Sequence, residues 1–286
     1  MTLAPAAPET EGFFAEADPY ITPQEMSQRT GLSPRTMLRR LQEHRIQPRL
    51  RQGRQGFYGR EDVAEVLTQL ATKPPYRVAI AHRKGGQAKT TTAFYLAREL
   101  ATRGYKVVLR DTDSQRSLTE VLQALGGHQD AHGRIQFLRR VVLVPDQAPL
   151  PFRPDYEILD TPPALDDSLP GIRRADAVVI PAVIDLQALL ALRQMLGYLR
   201  ETRHLQPKLE ILGVLPTRLF PRRQVLYRFL DEMRTLCANF DVPLLDPIVE
   251  DGGVTIFSMA GRHWSPLAER VIAAGQRSSR RDLRAG

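Results

Sequence analysis

The chain has 286 residues, 42% of them hydrophobic, a net charge of +8 and a sequence pI of about 9.9. No apolar run approaches the ~20 residues that span a bilayer, and the N-terminal M-T-L-A-P-A-A-P-E-T-E-G lacks the basic start and apolar stretch of a secretion signal. A single cysteine, Cys237, excludes an internal disulfide and a thiolate metal site within one chain, and reads as a small core residue. The expectation is a cytoplasmic protein of one large or two smaller domains, with a polyanionic partner: nucleic acid first, an anionic membrane surface second.

The charge is unevenly spread. Residues 1–19 are acidic and rich in Pro and Ala, and are expected to be a disordered tail. Residues 21–75 carry nine Arg and one Lys against five acids. Within them, Thr22 is a good helix N-cap, Pro23 suits the first helical position and Glu25 completes a capping box. That helix is expected to stop at Gly31, and Ser33 caps a second one that begins with Pro34. Met37, Leu38 and Leu41 are expected in the core. Ser33, Arg35, Thr36, Arg39 and Arg40 would line the exposed side, where the second helix of a helix-turn-helix enters the major groove.

R-L-R-Q-G-R-Q-G-F-Y (49–58) follows as a hairpin or wing, with Arg51 and Arg54 as phosphate contacts, and another helix opens at G-R-E-D-V. In this order of helix, turn, helix, wing and helix, and in the run T-G-L-S-P-R-T, residues 20–72 resemble the MerR-like winged helix-turn-helix family. The resemblance implies a DNA-binding head. Residues 73–75, Lys-Pro-Pro, read as a linker.

From Tyr76 the pattern changes to short apolar runs alternating with helical segments. The runs are R-V-A-I-A (77–81), V-V-L-R-D (107–111), R-V-V-L-V-P (140–145), Y-E-I-L-D (156–160), A-V-V-I-P-A (177–182) and E-I-L-G-V-L-P-T (210–217). Helices are expected at 90–102, between 111 and 140, near 186–203 and 221–239, and at 266–274. The alternation indicates βαβ units and a mostly parallel sheet flanked by helices.

K-G-G-Q-A-K-T-T (84–91) lies between the first run and its helix. Gly85 and Gly86 free the backbone to present N–H groups, Lys89 is placed to reach phosphates and Thr90 to reach Mg²⁺. The ordinary G-x-x-x-x-G-K-[ST] template nevertheless fails: Ala88 stands at its second glycine and Arg83 at its first. Downstream, Asp111 and Asp113 end one strand and Asp160 ends another, which puts carboxylates at the crevice where open α/β sheets bind ligands.

Three motifs in order, Lys84-Gly85-Gly86-Gln87-Ala88-Lys89-Thr90, Asp111-Thr112-Asp113-Ser114-Gln115 and Asp160-Thr161-Pro162-Pro163, resemble those of the ParA/MinD-type P-loop ATPases with a deviant Walker A loop. The resemblance covers roughly residues 76–274, with residues 275–286 left as a basic tail. It implies ATP and Mg²⁺ as ligands and slow hydrolysis. Lys84 through Thr91 would cradle the nucleotide. Lys89 would act in its own subunit, while Lys84 would reach the partner's nucleotide across an ATP-bound homodimer. Thr90, Asp111 and Asp160 would serve the metal, and Asp113 the attacking water. Thr217 and Arg218 are the candidates for adenine. Ser114 stands where the family usually has proline.

Within that superfamily, the lone cysteine and the basic C-terminus, with one large apolar residue at Leu283, favour the partition ATPases. The family then implies a ParB-like adaptor, nucleoid association, and nonspecific DNA binding through Arg218, Arg222, Arg223, Arg228, Arg262 and the tail arginines. An ATP-sensing transcription regulator and a MinD-like positioning ATPase are the alternatives.

Overall fold

The computed structural model describes residues 20–30, 32–70, 74–113, 117–124, 127–138, 140–146, 148–150, 152–219, 224–249 and 264–285. The expected acidic tail at 1–19 and Arg222, Arg223 and Arg262 lie outside them.

The N-terminal unit holds β1 (Tyr20–Ile21), α1 (Pro23–Thr30), α2 (Pro34–Glu43), β2 (Leu50–Gln52), β3 (Gln55–Gly59) and α3 (Arg60–Leu70). Both N-terminal caps form. The Glu25 carboxylate accepts from the Thr22 N–H at 2.7 Å, and the Thr22 hydroxyl accepts from the Glu25 N–H at 3.3 Å. Ser33 Oγ accepts from the Thr36 N–H at 3.1 Å. Each cap satisfies a backbone donor that the first helical turn leaves unpaired. β3 is the centre of a small antiparallel sheet, pairing Tyr20 with Gly59 and Leu50 with Phe57. Ile21, Met26, Met37, Leu41, Tyr58, Val63 and Val66 form its core. Leu38, expected in that core, is 38% exposed. It sits one residue beyond Met37, about 100° around the helix, and so falls off the stripe that Met37 and Leu41 bury.

The larger unit is an eight-stranded sheet in the order β11-β10-β4-β9-β5-β8-β7-β6. Its strands are β4 (Tyr76–Ile80), β5 (Val107–Asp111), β6 (His128–Gln129), β7 (Ile135–Leu138), β8 (Val141–Pro145), β9 (Tyr156–Asp160), β10 (Ala177–Val183) and β11 (Glu210–Thr217). Every neighbouring pair from β11 to β8 is parallel. Only β7 and β6 turn back antiparallel, at one edge. β6 is His-Gln, with no apolar residue, and β7, Ile-Gln-Phe-Leu, falls in the stretch between 111 and 140 that was expected to be helical.

Both faces of the sheet are covered, which is why its strands read as continuous apolar runs. One face packs against α4 (Lys89–Thr102), α5 (Ser117–Ala124) and α9 (Ser265–Ala285), through residues such as Leu96, Leu118 and Val271. The other packs against α6 (Leu165–Arg174), α7 (Leu186–Leu205) and α8 (Gln224–Asn239), through Ile172, Leu192 and Met233. Cys237 is buried there, as expected. α6 escaped the sequence reading because Pro170 lies inside it. α9 was expected to stop at Ala274, and instead continues through the basic segment as helix to Ala285. Among the described residues no helix is long and apolar enough to cross a membrane.

Candidate nucleotide site

Because the central strands are parallel, their carboxyl ends share one edge. β4 ends at Ile80, between β9 and β10, and the chain then loops into α4. The loop is held from three sides. His82 Nδ1 accepts the Lys84 N–H at 3.0 Å. Gln87 Oε1 accepts the Val183 N–H at 2.9 Å, pinning the loop to the end of β10. Thr161 donates its hydroxyl to the Ile80 carbonyl at 2.9 Å, tying β4 to the end of β9. His82 is fully buried, and burial, with the nearby Lys89 charge, lowers its pKa to about 4. It is therefore neutral at physiological pH, with Nδ1 free to accept.

The loop needs positive φ twice, at Gly86 (+72°) and at Ala88 (φ +61°, ψ +30°). Glycine reaches that region freely, whereas an L side chain is strained there by about 1–2 kcal/mol. Ala88 does not open the loop: its carbonyl accepts the Thr92 N–H at 2.9 Å and the Thr92 hydroxyl at 2.7 Å, as the first carbonyl of α4. The cost is strain. Ala88→Gly is expected to stabilise the protein by about 0.5–1 kcal/mol, the relief of strain less the added chain entropy of glycine. Urea unfolding measures it, and a destabilised variant would show that the methyl carries compensating contacts.

Lys89 is the first residue of α4 and is buried, 7% exposed. Burial lowers its pKa, opposed by the charges of Asp160 and Asp113. Asp160, at the end of β9, is 1% exposed, and among the described residues neither carboxylate oxygen finds a hydrogen bond of ordinary geometry. Burial raises its pKa to about 7, against the nearby Thr90 hydroxyl and Lys89 ammonium, which pull it down. A buried carboxylate costs several kcal/mol unless compensated; the Asp160 carboxylate and Thr90 hydroxyl are oxygen donors suited to a divalent cation, and the Lys89 ammonium is suited to phosphate.

Asp111, expected to serve the metal with Asp160, also holds its own strand end. One oxygen accepts the Asp113 N–H at 3.3 Å, and the other accepts the Thr119 N–H at 3.1 Å and hydroxyl at 2.8 Å. It ties the end of β5 to the start of α5, and burial raises its pKa. Thr112 donates N–H and hydroxyl to the Asp160 carbonyl, at 3.1 and 2.7 Å, so the two carboxylate-bearing strand ends are fastened to each other.

Lys84 lies on its own chain, where Nζ donates to Gln187 Oε1 at 3.0 Å and approaches Asp185 at 3.7 Å. Asp185 also caps α7 through the Ala188 N–H. Thr217 ends β11, 2% exposed, with a hydroxyl lacking any partner among the described residues, and Arg218 follows, exposed, at φ +57°. Sequence reasoning missed the work of His82 and Gln87: one precedes the motif and the other fills one of its variable slots.

Of the head residues, Ser33, Arg35, Arg39, Arg51 and Arg54 are exposed, and Thr36 and Arg40 half-buried. Glu43 engages both Arg39 (3.7 Å) and Arg40 (2.9 Å). Arg228 is exposed. Arg277 pairs with Glu210 at 2.6 Å.

A parallel strand, a glycine loop, a helix opening with a buried lysine, and carboxylates on the neighbouring strand ends define a P-loop-type nucleotide-binding α/β protein. The CobQ/CobB/MinD/ParA nucleotide binding domain matches residues 78–261, well over half of the chain, and the chain belongs to that family. The chromosome-partitioning ATPase Soj of Thermus thermophilus is 32% identical over 171 residues, covering 49% of this chain and 68% of that one. The maintenance of carboxysome distribution protein A of Synechococcus elongatus is 29% identical over 222 residues, covering 60% and 85%. In structure, the cobyrinic acid a,c-diamide synthase of Mycobacterium smegmatis with bound ADP and magnesium aligns with a TM-score of 0.56, 22% identity, and 68% and 93% coverage.

Proposed function

We propose that the protein is a partition-type ATPase that binds ATP with Mg²⁺, dimerises on it, and hydrolyses it slowly. The observation that carries this reading is the buried Asp160 carboxylate facing Thr90 and Lys89 at the mouth of the loop. The partition ATPase Soj among its relatives supports the biological setting.

The loop backbone and the N-terminus of α4 would take the phosphates, with Lys89 neutralising their charge. Thr90 would hold Mg²⁺ directly, with Asp160 and Asp111 supporting it through water, and Asp111 also keeps the β5–α5 turn in place. When bound, Mg²⁺ supplies charge neutralisation on the phosphates. Asp113 would orient the attacking water, and Thr217 and Arg218 would flank the base. Lys84 would leave Gln187 and Asp185 to reach the partner's nucleotide, so that closure of the dimer completes the site.

The capped helices, exposed arginines and hairpin of the N-terminal unit support DNA reading by Ser33, Arg35, Thr36, Arg39 and Arg40, with Arg51 and Arg54 on phosphates. Arg218, Arg222, Arg223, Arg228 and Arg262 would add salt-dependent, nonspecific contacts. A ParB-like adaptor stimulating hydrolysis, and association with the nucleoid in the cytoplasm, complete the proposal. The second reading is an ATP-sensing transcriptional regulator, favoured by the folded head. Turnover with and without DNA, alongside light scattering, separates them. A partition ATPase shows ATP-dependent dimers and turnover that DNA and its adaptor accelerate, whereas a sensor binds ATP without accelerated turnover. Asp113→Ala is expected to trap the ATP-bound dimer and cut turnover at least tenfold; unchanged turnover would remove Asp113 from the mechanism.

A further inference from the structure

The head touches the ATPase unit at the end opposite the nucleotide loop, and Arg29 reaches several groups there. Arg29, in the last turn of α1, has a side chain only 10% exposed. Its guanidinium donates to the Gly104 carbonyl at 3.0 Å and to the Arg103 carbonyl at 3.4 Å. It lies 4.1 Å over the Tyr105 ring and 4.0 Å from the Asp155 carboxylate. Those groups sit in the turn that leads from α4 into β5 and just before β9. From α3, the Arg60 side chain lies against the same turn: a Cβ at Gly104, whose φ is +81°, would come within 2.7 Å of it. Behind Tyr105 stand Tyr156 and then Tyr76, each packed edge-on to the next, at 5.1 and 6.3 Å between centroids. A planar cation that spans two carbonyls, a ring face and a carboxylate fixes direction as well as position. Among the described residues, the α2 and hairpin residues assigned above to DNA make no hydrogen bond or ion pair in this contact.

We infer that Arg29 locks the head in one orientation on the ATPase unit, so that the two heads of a dimer read half-sites at one separation. This rests on the DNA-reading and dimer assignments made above. The argument is geometric. Five residues separate α3 from β4. Such a link reaches up to about 17 Å when extended, or about five base pairs at ~3.4 Å each. A head held by the link alone would accept half-sites over that range, whereas a docked head accepts one.

The test is selection from a randomised duplex library by the full chain with Mg²⁺ and a non-hydrolysable ATP analogue. The wild type should enrich paired half-sites at a single separation. Arg29→Ala should enrich the same half-site with separations spread over several base pairs, and so should Tyr105→Leu, which removes the ring from the other side. The same single separation in both variants would overturn the inference. A wild type that enriches no motif would overturn the DNA-reading head and this inference with it. The dock has its own readout: nitroxides at the exposed positions Gln52 and Glu201, in a Cys237→Ala background. Arg29→Ala should at least double the width of the distance distribution without altering nucleotide affinity. An unchanged width would show that Arg29 is not the lock.

Discussion

Replacing Lys89 with alanine is expected to lower nucleotide affinity about 100-fold, a loss of about 2.7 kcal/mol. The ammonium is buried where α4 begins, with Asp160 and Asp113 as the carboxylates that favour its charge. Charge-assisted hydrogen bonds to phosphate are the stronger kind, each worth about 1.5–3 kcal/mol. The fold should survive, because alanine suits the first turn of a helix. Titration with a fluorescent ATP analogue checks the result. Affinity within threefold of the wild type would show that the nucleotide does not sit on this loop.

Asp160→Asn is expected to separate stability from function. The carboxyl is pushed up to about 7 in the folded chain, against about 3.9 unfolded. Between those values the folded state binds the extra proton, so stability falls as pH rises from about 4 to about 7. Below that window the acid is protonated in both states and costs nothing; above it the whole penalty of burying the charge is present. The asparagine removes the penalty. Its advantage over the wild type should be near zero at pH 4 and reach at most about 4 kcal/mol at pH 8, less what Lys89 loses with its counter-charge. Magnesium-dependent hydrolysis should fall at least tenfold in the same variant. An advantage that is the same at both pH values would mean that the carboxyl is solvated rather than buried.

Much of this was legible in the sequence, for identifiable reasons. Strands buried on both faces are short apolar runs, and β5, β9 and β11 have the bounds that the runs gave. The phosphate loop and the three aspartates stand at fixed offsets from those runs, so their convergence on one edge follows from parallel pairing. What was hidden depends on pairs far apart in the chain. Nothing local says that Gln87 will hold the end of β10, that Asp111 will accept from Thr119, or that Lys84 will rest on Gln187. Leu38 was misplaced because a three-residue apolar cluster on a helix does not reveal which member faces inward. α6 was hidden by its own proline.

The tyrosine base has a practical consequence. A chain trimmed before β4, the natural choice for work on the ATPase alone, would uncover the Tyr105 ring and the Arg103 carbonyl and take the Arg29 charge from Asp155. Such a fragment is expected to expose an aromatic patch that Arg29 covers here. Self-association of the fragment through that patch would mimic a nucleotide-driven pair, yet it would persist without ATP and disappear in Tyr105→Ser. Dimerisation is therefore best judged on the intact chain.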